Sequence, residues 1–323
     1  MDIVLSHSSA LQAYRLDLAG ARSRTSGVLS RSRYDLLPTG FVPSLSADET
    51  MLLQERYNLS APVHTLYGHQ SWSHKTRTME KHFIKSPHEL DSTIRLSTGL
   101  RLSSPEMLFL QMASELDFAN LVELGFELCG TYSLPANGSD AGTQYNLEPL
   151  TSSSLIRRYL EKSCSRKGVG KARAAAKFIR DNSYSPMETK AALLLGLPCC
   201  RGGAGLSLPT MNYPVKLDRS SRVITGKRQC YCDMMWIERK VDVEYDSSQE
   251  HRGKEKLRAD SVRREALKHM GIEVMTLTDL QLYNAERFDV FARDLAALLG
   301  KRIAPRCKDY PAKKLQLRKS LLG

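Results

Sequence analysis

Three acids carry the clearest chemistry in this chain: Asp233, Glu244 and Asp246, within the stretch from Arg228 to Thr278. Carboxylates brought together in pairs hold Mg2+, a hard cation that prefers oxygen ligands. Two strands are needed to bring them together. Gln229 to Ile237 is rich in aromatic and apolar residues, as a strand is. Lys240 to Asp246 alternates, with Val241, Val243 and Tyr245 on one face and Asp242, Glu244 and Asp246 on the other. A two-residue hairpin loop at Glu238 and Arg239 sets Asp233 directly opposite Glu244, with Cβ atoms ~4.5–5.5 Å apart. Like charges that close repel, by up to roughly 1 kcal/mol at a surface and by more when buried. A cation between them reverses the sign. The same alternation also describes an ordinary solvated strand face, and Glu-Arg is not the pair that favours a two-residue turn.

A polar loop with His251, a basic helix and a strand from Ile272 to Thr276 follow the acids, with Gly271 suited to cap the helix. Upstream, Ser185-Pro186-Met187-Glu188 reads as a capping box that opens another helix. This order of a strand Asp, Glu-x-Asp, a His-bearing loop and a helix of pattern Asp-x-x-Arg-x-x-x-Leu resembles the PD-(D/E)XK nuclease superfamily. It is most similar to the branch of small bacterial endonuclease-like domains related to very-short-patch repair enzymes. The matching residues are Asp233, Glu244, Asp246, His251, Asp260, Arg263 or Arg264, and Leu267. Glu188 matches the Ser-Pro-x-Glu that starts the branch's first core helix, where the Glu can approach the metal. Ser247 stands where the branch has Gly, Glu250 where it has a second His, and Asp246 where the superfamily has Lys.

The resemblance implies a restriction-endonuclease-like mixed-sheet core, Mg2+ or Mn2+ as cofactor, and phosphodiester hydrolysis in DNA. Asp233 and Glu244 are then the metal ligands. Asp246 or His251 orients or deprotonates the water, and Glu188 completes the shell. Arg263, Arg264, Lys254, Lys256, Arg173 and Lys177 are the candidate phosphate contacts.

Charge supports a polyanionic partner. Residues 1–150 hold 12 Lys+Arg against 16 Asp+Glu, or −4, and residues 151–323 hold 35 against 19, or +16. Basic helices are expected over 154–163 and 170–180, and a mobile basic tail over 301–323, where Pro305 and Pro311 argue against one long helix. The first half reads as a smaller α+β domain. It has a strand at Ile3–Leu5, a helix capped at Ser8 or Ser9, and a helix over Ala47–Tyr57. Strands follow at 63–67, 76–83 and 94–102, then helices from Pro105 and from about Asp117. His64, His69, His74 and His82 match no metal-binding spacing and read as structural. With a strand bearing His, then Ser104-Pro105-Glu106 before an apolar helix, then Leu121-x-x-Leu124-Gly125, the stretch over roughly 60–135 is similar to the antitoxin-like regulators of type IV abortive-infection systems. That similarity implies a DNA-binding regulator and a toxin protein as partner, an alternative to the enzyme.

The whole is therefore expected to be α/β (α+β overall): an antitoxin-like domain over 1–135, a Gly/Asn/Pro-containing linker over 136–150, the endonuclease-like domain over 151–300, and the tail. A hydrophobic content of 41% suffices for such cores. Seven irregularly spaced cysteines fit free thiols in a reducing, cytoplasmic setting. No apolar run is long enough for a membrane span, and the first residues lack the pattern of a signal peptide.

Overall fold

The computed structural model describes residues 3–16, 46–67, 76–83, 92–97, 99–136, 142–164, 166–246 and 254–323; of 254–257 it describes the backbone alone. The fold is mixed α+β, in two compact units, Met1–Ile179 and Arg180–Gly323. No described helix is long and apolar enough to cross a membrane.

The first unit holds a five-stranded mixed sheet in the order β3-β2-β1-β5-β4. Its strands are β1 (Ile3–Leu5), β2 (Val63–Tyr67), β3 (Met79–Phe83), β4 (Thr93–Ser97) and β5 (Leu100–Ser103). The expected single strand over 94–102 is two antiparallel strands, because the chain reverses at Gly99 with φ +80°. Helix α1 (His7–Arg15) begins at His7, not after Ser8 or Ser9. Helix α2 (Ala47–Tyr57) carries the full capping box of Ser46 and Glu49. Helices α3 (Pro105–Met112) and α4 (Phe118–Cys129) start where the N-caps Ser104 and Asp117 place them. Their apolar faces, with Met107, Leu108, Leu110, Leu121 and Leu128, are fully buried.

The described part of the expected linker is fastened to this unit. Ser133 and Gln144 exchange backbone hydrogen bonds, and the N–H groups of Leu147 and Leu150 donate to Thr131 and Leu128. Residues 137–141 lie outside the described residues. The basic helices α5 (Ser153–Lys162) and α6 (Val169–Ala176) belong to the same unit. Lys171 Nζ donates to the carbonyl of Leu116, and Arg173 to that of Leu160. The division therefore falls at Ile179–Arg180 rather than within 136–150, and charge divides differently too. The first unit holds 20 Lys+Arg against 17 Asp+Glu (+3), and the second 27 against 18 (+9).

The second unit is built on a four-stranded mixed sheet, β6-β7-β8-β9. Helix α7 (Pro186–Gly196) leads through a 3-10 turn at Cys199–Arg201 to β6 (Thr210–Lys216), then come α8 (Arg219–Thr225) and β7 (Gln229–Trp236). The bend at Gly202–Gly205 needs glycine. Gly202 has φ +91°, and a Cβ on Gly203 would stand 2.1 Å from the carbonyl oxygen of Leu197. Strand β8 (Val241–Asp246) pairs antiparallel with β7 and parallel with β9 (Glu273–Thr278), and helix α9 (Lys254–His269) is the crossover that a parallel pair requires. Gly271 ends α9 at φ +72°, with Ile272 N–H bonded to Leu267 and both side chains in the core, a Schellman ending.

Helices α10 (Asp279–Tyr283), α11 (Ala285–Leu298) and α12 (Tyr310–Leu322) complete the unit. The tail expected to be mobile is thus largely helical. Pro311 sits in the first turn of α12, where its missing N–H costs nothing. Leu317 and Leu321 are buried, and Arg318 donates to the carbonyls of Leu282 and Tyr283.

Candidate functional site

The register of the β7–β8 hairpin is the one the acidic pattern requires. Met234 pairs with Val243, Met235 with Asp242 and Trp236 with Val241. The loop differs: Ile237–Arg239 form a 3-10 turn closed by Lys240 at φ +52°. Four loop residues keep the parity that two would give. Asp233 and Glu244 occupy the next rung, just past the paired ladder. There Asp233 Oδ2 accepts from the N–H of Tyr245 at 3.1 Å, so a side chain takes the bond a strand backbone would have made.

Around this rung four carboxyl groups perturb one another. Asp242 is fully buried, and neither of its oxygens has a nitrogen or oxygen hydrogen-bond partner; the Cys232 thiol lies beside it. Its pKa is pushed up to about 8, chiefly by burial and then by Glu244 and Asp233. Glu244, also buried, is pushed up to about 7 by burial and Asp233 against the pull of Arg263. Asp233 is raised by burial, against the Tyr245 N–H and Arg263. Glu188 is pushed up to about 8 by burial and by Asp233. Its carboxylate accepts from the Ser185 hydroxyl and the Tyr184 N–H, while Ser185 Oγ accepts from Glu188 N–H. The expected capping box is thus half made at its backbone, and the carboxylate is turned to the neighbouring residue.

Two guanidinium groups from α9 face the acids. Arg263 Nη2 donates to Glu244 Oε2 at 2.7 Å and Nη1 to the carbonyl of Tyr231; Arg264 Nε lies 3.9 Å from the same Glu244 oxygen. Glu244 Oε1 is left buried with no partner. With Asp260, whose Oδ1 lies 3.9 Å from Arg263 Nη2, acidic groups outnumber the two guanidiniums, an excess that a divalent cation reduces. Buried carboxylates without partners otherwise have to hold protons. No three of these carboxylates bring one oxygen each within 4.8 Å of one another. Mg2+ does not ask for that, because it is held by one or two carboxylates and keeps several waters. The residues present fit such an ion.

No family model, curated protein or solved structure matches this chain.

Of the residues singled out in the sequence, the structure gathers Glu188, Asp233 and Glu244, and adds Asp242, which sequence reasoning passed over. A signal was present: an acid inside a strand of alternating apolar residues, sharing a face with Glu244. Asp246 ends β8, half-buried. His251 lies outside the described residues, as do the side chains of Lys254 and Lys256. Arg263 is committed to Glu244 and Arg264 stands near it, so they serve the carboxylates first. Arg173 joins α6 to the carbonyls of α5, and Lys177 is exposed on the first unit. A groove lined in part by Leu194, Phe288, Ala292, Tyr310 and Arg318 shares no residue with the carboxylate cluster.

The first unit holds a second gathering of metal-ligand types. His7, His64, His82 and Glu115 each present one ligand atom within 4.8 Å of all the others. Of the histidines noted in the sequence, two meet here and two, His69 and His74, lie outside the described residues. His7 and Glu115 carry no sequence signal, since four separate elements supply the cluster.

Proposed function

We propose that this chain is a Mg2+- or Mn2+-dependent DNA endonuclease whose site is the carboxylate cluster of the second unit. The observation that carries the reading is Asp242. A fully buried carboxyl with no nitrogen or oxygen partner and only the Cys232 thiol beside it, next to Glu244 and Asp233, is unfavourable in a binding scaffold and useful next to a cation. Asp233 and Glu244 would hold the ion, with Asp242 supplying negative charge behind them. Arg263 fixes Glu244 through Oε2 and leaves Oε1 to the metal side. Glu188, held by Ser185 and Tyr184 and raised to about 8, is placed to hold or release a proton near neutral pH. Asp246 and His251 are the further groups that the likeness to very-short-patch repair domains assigns to the water. A divalent ion bound here supplies a water of lowered pKa and stabilises charge on the phosphate. DNA is the substrate that the likeness implies, and the +9 charge of the second unit supports a polyanion.

Plasmid nicking with Mg2+ or Mn2+ tests the reading. Wild-type protein is expected to nick, and Asp233→Asn, Glu244→Gln and Asp242→Asn to lose most of that activity. The losses should not add, because the residues serve one ion. Absence of cleavage with every divalent metal, together with a melting temperature that Mg2+ does not move, overturns it. DNA binding without cleavage would then leave the regulator resembling an abortive-infection antitoxin.

A further inference from the structure

We propose that His7, His64, His82 and Glu115 form a site for one divalent transition-metal ion of the zinc class, separate from the carboxylate cluster. The ligand set is the first reason. Three imidazoles and a carboxylate suit zinc and its neighbours in the transition series, whereas Mg2+ takes oxygen. The second reason is convergence. The four ligand atoms lie within 4.8 Å of one another, with His64 Nδ1 2.8 Å from His82 Nε2 and His7 Nε2 4.0 Å from Glu115 Oε1. A tetrahedral ion with bonds of about 2.0–2.1 Å needs ligand atoms about 3.3 Å apart. These two separations lie on either side of that value, and the His7 and His82 rings, whose planes differ by 23°, turn to bring both lone pairs onto one ion.

The surrounding residues orient the ligands. His64 and His82 come from adjacent parallel strands, β2 and β3, where their sequence parity puts them on one face of the sheet. The His64 N–H is fixed by Ser9 Oγ. His7 stands at φ +47°, a conformation costly for a residue with a Cβ, and its N–H is anchored on Gln111 Oε1 at 3.1 Å. His7 Nδ1 lies 3.0 Å from Ser6 Oγ. A proton on Nδ1 donated to that hydroxyl leaves the Nε2 lone pair facing the cluster, the second-sphere arrangement common to metal-bound histidine. The rings of His7 and His82 stack with centroids 3.6 Å apart, which disfavours charge on either. His7 and His64 are both buried, with ring centroids 5.8 Å apart. Glu115 is the most exposed of the four, at 34%, and gives the ion a way in from solvent.

The experiment uses the full chain stripped with a chelator, then titrated with Zn2+ against a chromophoric competitor while excess Mg2+ occupies the carboxylate site. One tight equivalent is expected. Co2+ in its place should give the visible bands of a tetrahedral site without the thiolate charge-transfer absorption that a cysteine site would show. His64→Gln and His82→Gln should abolish the tight equivalent, and Asp242→Asn should leave it intact. Ser6→Ala should weaken it by about 10–100-fold. Because the buried histidine variants are open to misfolding, Glu115→Gln at the exposed ligand gives an independent reading, with Zn2+ affinity expected to fall at least about tenfold. No tight equivalent in wild type, Zn2+ affinity unchanged in Glu115→Gln, or thiolate absorption from Co2+ would each overturn the site.

Discussion

At the scale of single residues, Asp242 and Arg263 set the chemistry of the second unit. Carboxyls whose folded pKa is raised bind more protons in the native state than in the unfolded one. Their contribution to stability is complete below the unfolded carboxylate pKa, near 4, and is lost as pH rises through the folded values of about 7 to 8. In chelator, the melting temperature should therefore fall between pH 5 and 8.5, by at least about 3 °C. Added Mg2+ should flatten the decline, and so should Asp242→Asn; a flat wild-type profile in chelator would mean the carboxyls are compensated in some other way. Arg263→Ala removes the partner of a buried carboxylate and should cost roughly 2–3 kcal/mol in chemical denaturation at pH 7. Arg263→Lys should recover part of it.

At the scale of elements, what was legible in the sequence was whatever depended on local period. The alternation Val-Asp-Val-Glu-Tyr-Asp and the caps Ser46, Ser104, Asp117 and Ser185 gave strands and helices close to where they stand. The hairpin register was legible for a related reason: loops of two and four residues share parity. The true loop length was not, because Lys240 holds a left-handed conformation that Gly or Asn usually signals. Helix α12 was hidden because a proline in the first turn starts a helix as readily as one further on would end it. The histidine cluster was illegible because no local pattern links α1, β2, β3 and the end of α3. The glycine bend before β6 gives a sharp test. Gly203→Ala should destabilise by at least about 2 kcal/mol, since its Cβ meets backbone that cannot step aside. Gly226→Ala, at a left-handed position in open space, should cost only about 1 kcal/mol. A loss for Gly203→Ala no larger than that for Gly226→Ala in thermal or denaturant unfolding would show that the backbone near Leu197 gives way.

At the scale of the whole chain, the basic charge is distributed otherwise than the half-by-half count suggested. Much of the basic character of α5 and α6 goes to carbonyls of the first unit. Four exposed cations lie instead on the segment between α11 and α12: Lys301, Arg302, Arg306 and Lys308. If DNA lies against the second unit, these should meet phosphates. Replacing all four with Gln in the full chain should make the dependence of log affinity on log salt shallower, by roughly 0.9 for each phosphate no longer neutralised. An unchanged slope in fluorescence titrations would place the DNA elsewhere.

The way β8 is shared between an antiparallel and a parallel neighbour also imposes an order in time. The β7–β8 hairpin closes over a short loop, an event of about 1–10 μs, whereas β9 cannot join until the whole of α9 has been threaded past. The acids of β7 and β8 therefore meet before α9 delivers Arg263 and Arg264. During that interval they repel with nothing to answer them except protons or a cation. Refolding in chelator should consequently slow as pH rises from 5 to 8. Stopped-flow traces would show it, and a refolding rate indifferent to pH would mean that α9 docks in the same step as the hairpin.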